Sequence, residues 1–228
     1  MNRPQYVLAL ACLLISSPVL AGEGTARKAK KLNWKLNTKH VYNFVANKTK
    51  IGSETVVIKK VKQGYEYKAT LAMKVRNFNV ASTTTFVVSP NGKPLSFERT
   101  YTSPKKATIK TVFKGNLATS TVTTVAAKTQ TAKLPKNVMM FDNNLMASFA
   151  AICSQLELKP GATIKIEPFH PSLIRVLPLT FTVDKKMEKV KGKDCYKVTV
   201  TPIQNTFWVT KDGRFIKAVG RGVIVELQ

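Results

Sequence analysis

Apolar and polar residues alternate along most of the chain beyond position 40. Tyr65, Tyr67, Ala69, Leu71, Met73 and Val75 share one face, and Glu66, Lys68, Thr70, Ala72, Lys74 and Arg76 share the other. A period of two with one wet face predicts a half-buried antiparallel strand. The pattern returns in Ala107, Ile109, Thr111 and Phe113 against Thr108, Lys110, Val112 and Lys114, and in Tyr196, Val198 and Val200 against Cys195, Lys197 and Thr199. Turn residues separate the runs, at Gln63-Gly64, Pro90-Asn91-Gly92, Gly115-Asn116, Gly192-Lys193 and Asp212-Gly213. Their placement predicts a meander of hairpins with roughly 11 to 14 strands. Abundant threonine suits the pleated surface. The chain ends on an alternating run, Phe215 to Leu227, expected to pair inside the sheet.

One segment departs from this rhythm. Leu145, Phe149, Ile152 and Leu156 are spaced by four, three and four residues, which is helix period. A helix is predicted over 142–156, capped by Asp142 or Asn143 and stopped by Lys159-Pro160-Gly161. A lone helix among strands has to bury its stripe on the sheet, and the concave face of a curved sheet is the economical place. The fold class expected is therefore mainly β, a single domain with one central helix.

The N-terminus changes the setting. Arg3, the apolar stretch from Tyr6 to Ile15, and Val19-Leu20-Ala21 after Pro18 form the three parts of a cleavable export signal. The stretch is too short to span a bilayer, which takes about 20 residues, and no later segment could span. Cys12 interrupts the apolar run instead of closing it, which argues against lipidation there. The expected organisation is a signal peptide over 1–21, a basic arm over 22–39 and a β domain over 40–228, in a periplasmic or secreted protein. Trp34 and Leu36 are the arm residues expected to tuck onto the domain.

Without residues 1–21 the chain carries 36 basic and 12 acidic side chains, a net charge of +24. A field of that size draws polyanions and acidic membrane surfaces. Nucleic acid is the first partner such a charge suggests, but export disfavours it and favours anionic envelope surfaces.

Catalytic signatures are lacking. His40 and His170 have no second ligand at metal spacing. Ser148 and Ser154 lack the glycines of a nucleophile elbow. The acids are scattered, and no glycine-rich phosphate loop occurs. The reading is non-enzymatic, with no metal and no cofactor. Cys153 and Cys195 are the two cysteines left after export, an even count that suggests a disulfide. Closing their 42-residue loop is worth about 4 kcal/mol in the chain-entropy model. Two separately buried thiols are the alternative, because Cys195 alternates onto the face opposite Tyr196 and Val198.

Several loose motifs run through the domain: Tyr42-Asn43-Phe44 with Ile51-Gly52, Pro94-Leu95-Ser96-Phe97, the Asp142 segment closed by Leu158-Lys159-Pro160-Gly161, and Phe207-Trp208-Val209 followed by Asp212-Gly213. On these the chain resembles the lipoprotein-carrier superfamily of LolA- and LolB-like half-barrels, and more closely a DUF3108-like group of exported bacterial proteins. The resemblance implies an unclosed antiparallel half-barrel with its helix on the concave side, and a cavity that holds acyl chains in the better-known relatives.

Two functions follow. The first is a carrier or sensor of a lipid or other amphipathic ligand, with Phe44, Tyr67, Leu71, Met73, Phe149, Ile152 and Trp208 as the candidate cavity lining. The second is a structural envelope protein whose cationic face, with Lys68, Lys74, Arg76, Lys110, Lys114 and Lys197, meets an anionic surface or a protein partner. Cavity volume separates them, because a full core favours the second.

Overall fold

Each alternating run is joined to the next by a short turn, so neighbours in sequence become neighbours in the sheet. The computed structural model describes residues 34–228 except 76, 143 and 144. The signal peptide expected over 1–21, most of the basic arm, Arg76 and the proposed cap Asn143 thus lie outside the described residues.

Eight strands precede the helix: β1 (Lys39–Ala46), β2 (Thr49–Val61), β3 (Gly64–Val75), β4 (Phe78–Val88), β5 (Pro94–Ser103), β6 (Ala107–Lys114), β7 (Leu117–Thr123) and β8 (Ala127–Lys133). Helix α1 (Met146–Cys153) comes next. It is followed by β9 (Thr163–Ile166), β10 (Phe169–His170), β11 (Arg175–Val176), β12 (Leu179–Val190), β13 (Lys193–Thr201), β14 (Asn205–Thr210), β15 (Phe215–Gly220) and β16 (Val223–Leu227). Fourteen of these strands form one sheet in the order β8-β7-β6-β5-β4-β3-β2-β1-β16-β15-β14-β13-β12-β9, while β10 and β11 pair separately. The terminal strands zip together at the middle of the sheet, with Tyr42 opposite Leu227 and Phe44 opposite Val225. The outermost strands, β8 and β9, do not pair with each other, so the barrel stays unclosed.

The two faces of the sheet differ in chemistry. Tyr42, Val56, Ile58, Tyr67, Leu71, Phe86, Phe97, Phe207 and Phe215 point inward and are buried. On the outer face Thr55, Thr70, Thr83, Thr100, Thr108 and Thr123 stand opposite one another in one row across six strands. Cross-strand threonine pairs of this kind stabilise a wet face by a few tenths of a kcal/mol to about 1 kcal/mol each. Thr121 and Thr129, with hydroxyls 3.1 Å apart, continue the theme toward the open edge.

The helix differs from the sequence expectation in two ways. It runs only from Met146 to Cys153, and every one of its residues is buried, not just one stripe. Leu145, Phe149, Ile152 and Leu156 are all in the core as expected. From the segment leading into the helix, Phe141 packs on Phe149, and Met139 and Met140 line a small hollow with Ala151 and Ile152. Phe149 makes edge contacts with Phe141 at 5.0 Å and Phe207 at 4.7 Å, and stacks on Phe215 at 5.7 Å. Leu145 occupies the cap position without a side-chain cap bond, and Asp142 is engaged elsewhere.

The disulfide is also corrected. Cys153 and Cys195 are both free and both buried. Cys153 closes the helix on the concave side, with its carbonyl so near Gly213 that a Cβ there would sit 2.8 Å away. In β13 Tyr196, Val198 and Val200 face inward, and the alternation turns Cys195 outward, opposite Thr210. Burial pushes Cys153 up to about 12 and Cys195 up to about 11, so neither is a ready nucleophile at neutral pH.

Phe149→Ala should lower unfolding free energy by about 3–5 kcal/mol, read from urea denaturation. A loss below about 1 kcal/mol would mean that the ring is not part of the core.

Candidate functional site

Three ionisable residues are buried on the concave side among mostly apolar neighbours. Glu54 is in phase with Val56 and Ile58 on β2, and Arg99 is in phase with Phe97 and Tyr101 on β5. The third, Asp142, lies just ahead of the helix. All are fully or almost fully buried, so each needs a specific partner.

Glu54 caps the helix from across the core. Its Oε2 accepts the Met146 N–H at 3.0 Å, and its Oε1 accepts the Ala147 N–H at 2.9 Å. The first N–H groups of a helix have no partner within it and carry the positive end of its dipole. A carboxylate with one oxygen on each of two N–H groups satisfies both. Burial nevertheless raises the Glu54 carboxyl to about 7, against the opposing pull of the Ala147 and Met146 N–H groups and of Arg99.

Arg99 and Asp142 form a buried ion pair, Nη1 to Oδ2 at 3.3 Å, with exposures of 1% and 0%. Arg99 also donates from Nε and Nη2 to the Ser82 hydroxyl at 3.3 and 3.2 Å, and its guanidinium lies 4.6 Å from the Tyr101 ring centre. Asp142 Oδ2 accepts the Ser172 hydroxyl at 2.6 Å, and His170 Nε2 stands 3.9 Å from Oδ1. Burial holds His170 below the usual imidazole range, with Asp142 acting against that shift. Serine, histidine and aspartate thus meet at one point, but Ser172 gives its proton to the carboxylate. A hydrolytic triad needs that hydroxyl on the imidazole. The Ser148 hydroxyl accepts the Asp142 N–H at 3.0 Å and lies 2.8 Å from both the Asp142 and Leu145 carbonyls. The cluster thereby fixes the chain where it enters the helix.

The cavity candidates from the sequence separate on the structure. Phe44, Tyr67, Leu71, Phe149 and Ile152 are brought together in the concave core, and Met73 packs at its margin. Trp208 is half-buried and packs against the core from the other face of the sheet. Phe207 and Val209 take the inward positions of β14, so Trp208 faces outward, bonds to Glu188 and lies 5.5 Å beneath the Lys217 ammonium. The two best-formed hollows measure about 10 Å³, beside Met140 and Ile152, and about 60 Å³, beside Lys93 and Asn137. Sites for drug-sized ligands run from about 300 to about 1,000 Å³.

The outer face is cationic. Lys68, Lys74, Lys110 and Lys114 are exposed, and Lys197 is half-exposed. Lys68 pairs with Glu66, Lys110 with Glu98 and Lys197 with Asp184, at exposed or half-buried positions. Most of the other exposed lysines have no carboxylate within ion-pair distance among the described residues. No group of three His, Cys, Asp or Glu among the described residues could hold a metal ion. No helix among them is long and apolar enough to cross a membrane.

DUF3108, described as a protein of unknown function, matches residues 38–221. The chain belongs to the DUF3108 family. The matched span runs from the start of β1 to the β15–β16 turn, which is nearly the whole sheet. A β-barrel-like protein of the DUF1849 family from Brucella abortus is similar in structure, with a TM-score of 0.56 at 11% identity over 83% of this chain and 94% of that one. A DUF1089 family protein from Pseudomonas aeruginosa has a TM-score of 0.47 at 10% identity, over 90% of this chain and 97% of that one. No curated protein matches the sequence. These likenesses reach DUF3108 and a barrel-like fold, and they do not reach the LolA- and LolB-like carriers.

Two predictions follow from the buried charges. Arg99→Met leaves the Asp142 carboxylate without its cation and should cost about 3–5 kcal/mol. Arg99→Met with Asp142→Leu should recover more than half of that loss in a denaturant double-mutant cycle. Additive losses would mean that the pair is not coupled. Glu54 takes up its proton at about pH 7 when folded and near its ordinary 4.5 when unfolded. Between those values the folded state holds more protons, so stability falls as pH rises, by up to about 3 kcal/mol. Glu54→Gln should remove that part of the slope between pH 5 and pH 7.5, approximately. An unchanged slope would contradict the assignment.

Proposed function

We propose that this DUF3108 protein is an exported, non-enzymatic binding protein that works through its cationic outer surface, on an anionic surface of the cell envelope. The observation that carries the reading is the filled concave face. The place where a half-barrel would hold an acyl chain is taken by the chain's own helix, with Phe149 wedged among Phe141, Phe207 and Phe215. A carrier of this fold would have to displace α1, break both Glu54 bonds and strand two buried helix N–H groups. What the molecule leaves available is its exterior, where exposed lysines far outnumber exposed acids.

A surface bound this way is recognised by summed charge, with little demand on side-chain geometry. Binding therefore depends steeply on salt, because exposed charges are screened beyond about 10 Å at 0.1 M and about 3 Å at 1 M. The mature protein should bind both dextran sulfate beads and vesicles containing phosphatidylglycerol, and not vesicles of phosphatidylcholine alone. Raising salt from about 0.1 M to about 1 M should release it from the beads. Failure to bind either anionic probe at low salt would overturn the reading. A lipid found by native mass spectrometry inside protein purified from an envelope fraction would favour the carrier instead.

A further inference from the structure

Because the strands form an antiparallel meander, the β1–β2, β3–β4, β5–β6 and β7–β8 turns all lie at the same end. Large apolar side chains stand exposed on two of them. Phe78 begins β4 and is 61% exposed, and Val125 at the tip of the β7–β8 hairpin is fully exposed. Neither has a packing role in the core. An exposed phenylalanine at a hairpin tip loses free energy to water that burial elsewhere would recover.

The residues flanking these tips are basic. Lys48, Lys50, Lys74, Lys105, Lys106 and Lys128 lie in or beside the four turns, all are exposed, and residues 46–50, 74–79, 102–107 and 123–128 contain no acid. At the opposite end Asp194 stands beside Lys193 and Asp212 beside Lys211, while Lys62, Lys93 and Lys114 stand in turns without a carboxylate. Phe78 and Val125 are separated by three to four strand spacings, roughly 15–20 Å, and the β5–β6 tip with Lys105 and Lys106 stands between them. The rim thus offers two apolar points in a ring of positive charge.

We infer that this rim is a membrane-docking edge, which places Phe78 and Val125 into the interfacial region of an anionic lipid bilayer while the lysines contact its headgroups. The inference rests on the anionic-surface reading above and adds a site and a class of surface to it. A polyanion satisfies the lysines alone and gives the apolar tips nothing. A bilayer satisfies both, since its headgroups carry the charge and its acyl boundary takes the apolar side chains.

The test uses the full mature chain, with Phe78→Ser/Val125→Ser as the variant and two probes. One is vesicles of phosphatidylethanolamine and phosphatidylglycerol, and the other is dextran sulfate. Both positions are exposed, and equal thermal unfolding of variant and wild type checks the fold. The variant should lose at least tenfold in vesicle affinity and bind dextran sulfate as the wild type does. Phe78→Trp should show a blue-shifted emission on vesicles, measured against the wild-type spectrum, and quenching by lipids brominated on the acyl chain. Unchanged vesicle affinity in the double variant, with no spectral shift from Phe78→Trp, would overturn the rim and leave the charged-surface reading standing. A wild type that binds neither probe would overturn both. Equal weakening on both probes would show that the tips act through charge presentation and would also reject insertion.

Discussion

Everything on the concave side of this protein depends on how the N-terminus of one short helix is satisfied. Helix α1 is buried on all sides, so water cannot complete the N–H groups that the helix leaves open at its start. Glu54 reaches them from a strand more than ninety residues earlier in the chain. An uncapped buried N–H costs about as much as a lost hydrogen bond with its full desolvation. The two bonds also set the register of the helix against β2, and so bring Phe149 between Phe207 and Phe215. The Arg99–Asp142 pair acts one step earlier. It pins the segment that enters the helix, while Ser148 ties the first turn back to Asp142.

The sheet was legible in the sequence because its cause is local. Alternation and turn residues determine strand and hairpin one pair at a time, and the antiparallel meander with its last strand inside the sheet follows from them. The helix was legible in place but not in extent. Its four-three-four stripe marked the buried residues correctly, while Asp142 looked like a cap and is instead held by Arg99. The real cap could not be read as a cap, since it comes from a distant strand. A signal for it did exist: Glu54 falls in phase with Val56 and Ile58, and Arg99 in phase with Phe97 and Tyr101. A charged residue on the apolar phase of a strand is either misplaced or buried with a partner. Trp208 stands on the outward phase of β14, which its neighbours Phe207 and Val209 already show in the sequence. The same alternation that warned against a Cys153–Cys195 bridge also explains why the two thiols remain apart.

The physical account connects these features to function through space. Close packing leaves few voids in a protein interior, and here α1 packs into the concavity of the half-barrel. On the outside, threonine rows give a stable wet face and exposed lysines give it a positive field. Buried charge fixes the position of one helix, and exposed charge gives the exterior its field. The two sets of ionic residues hold to this division, with Glu54, Arg99 and Asp142 wholly inside.

The central claim is that α1 is core and stays core while the protein binds. Amide hydrogen exchange over Met146–Cys153, measured for the free protein and for the protein on phosphatidylglycerol vesicles, tests it most directly. The account predicts that these amides exchange only through global unfolding and that vesicle binding leaves their rates unchanged. Accelerated exchange of the helix on vesicles, with the sheet still protected, would show α1 opening as a lid and would contradict the account.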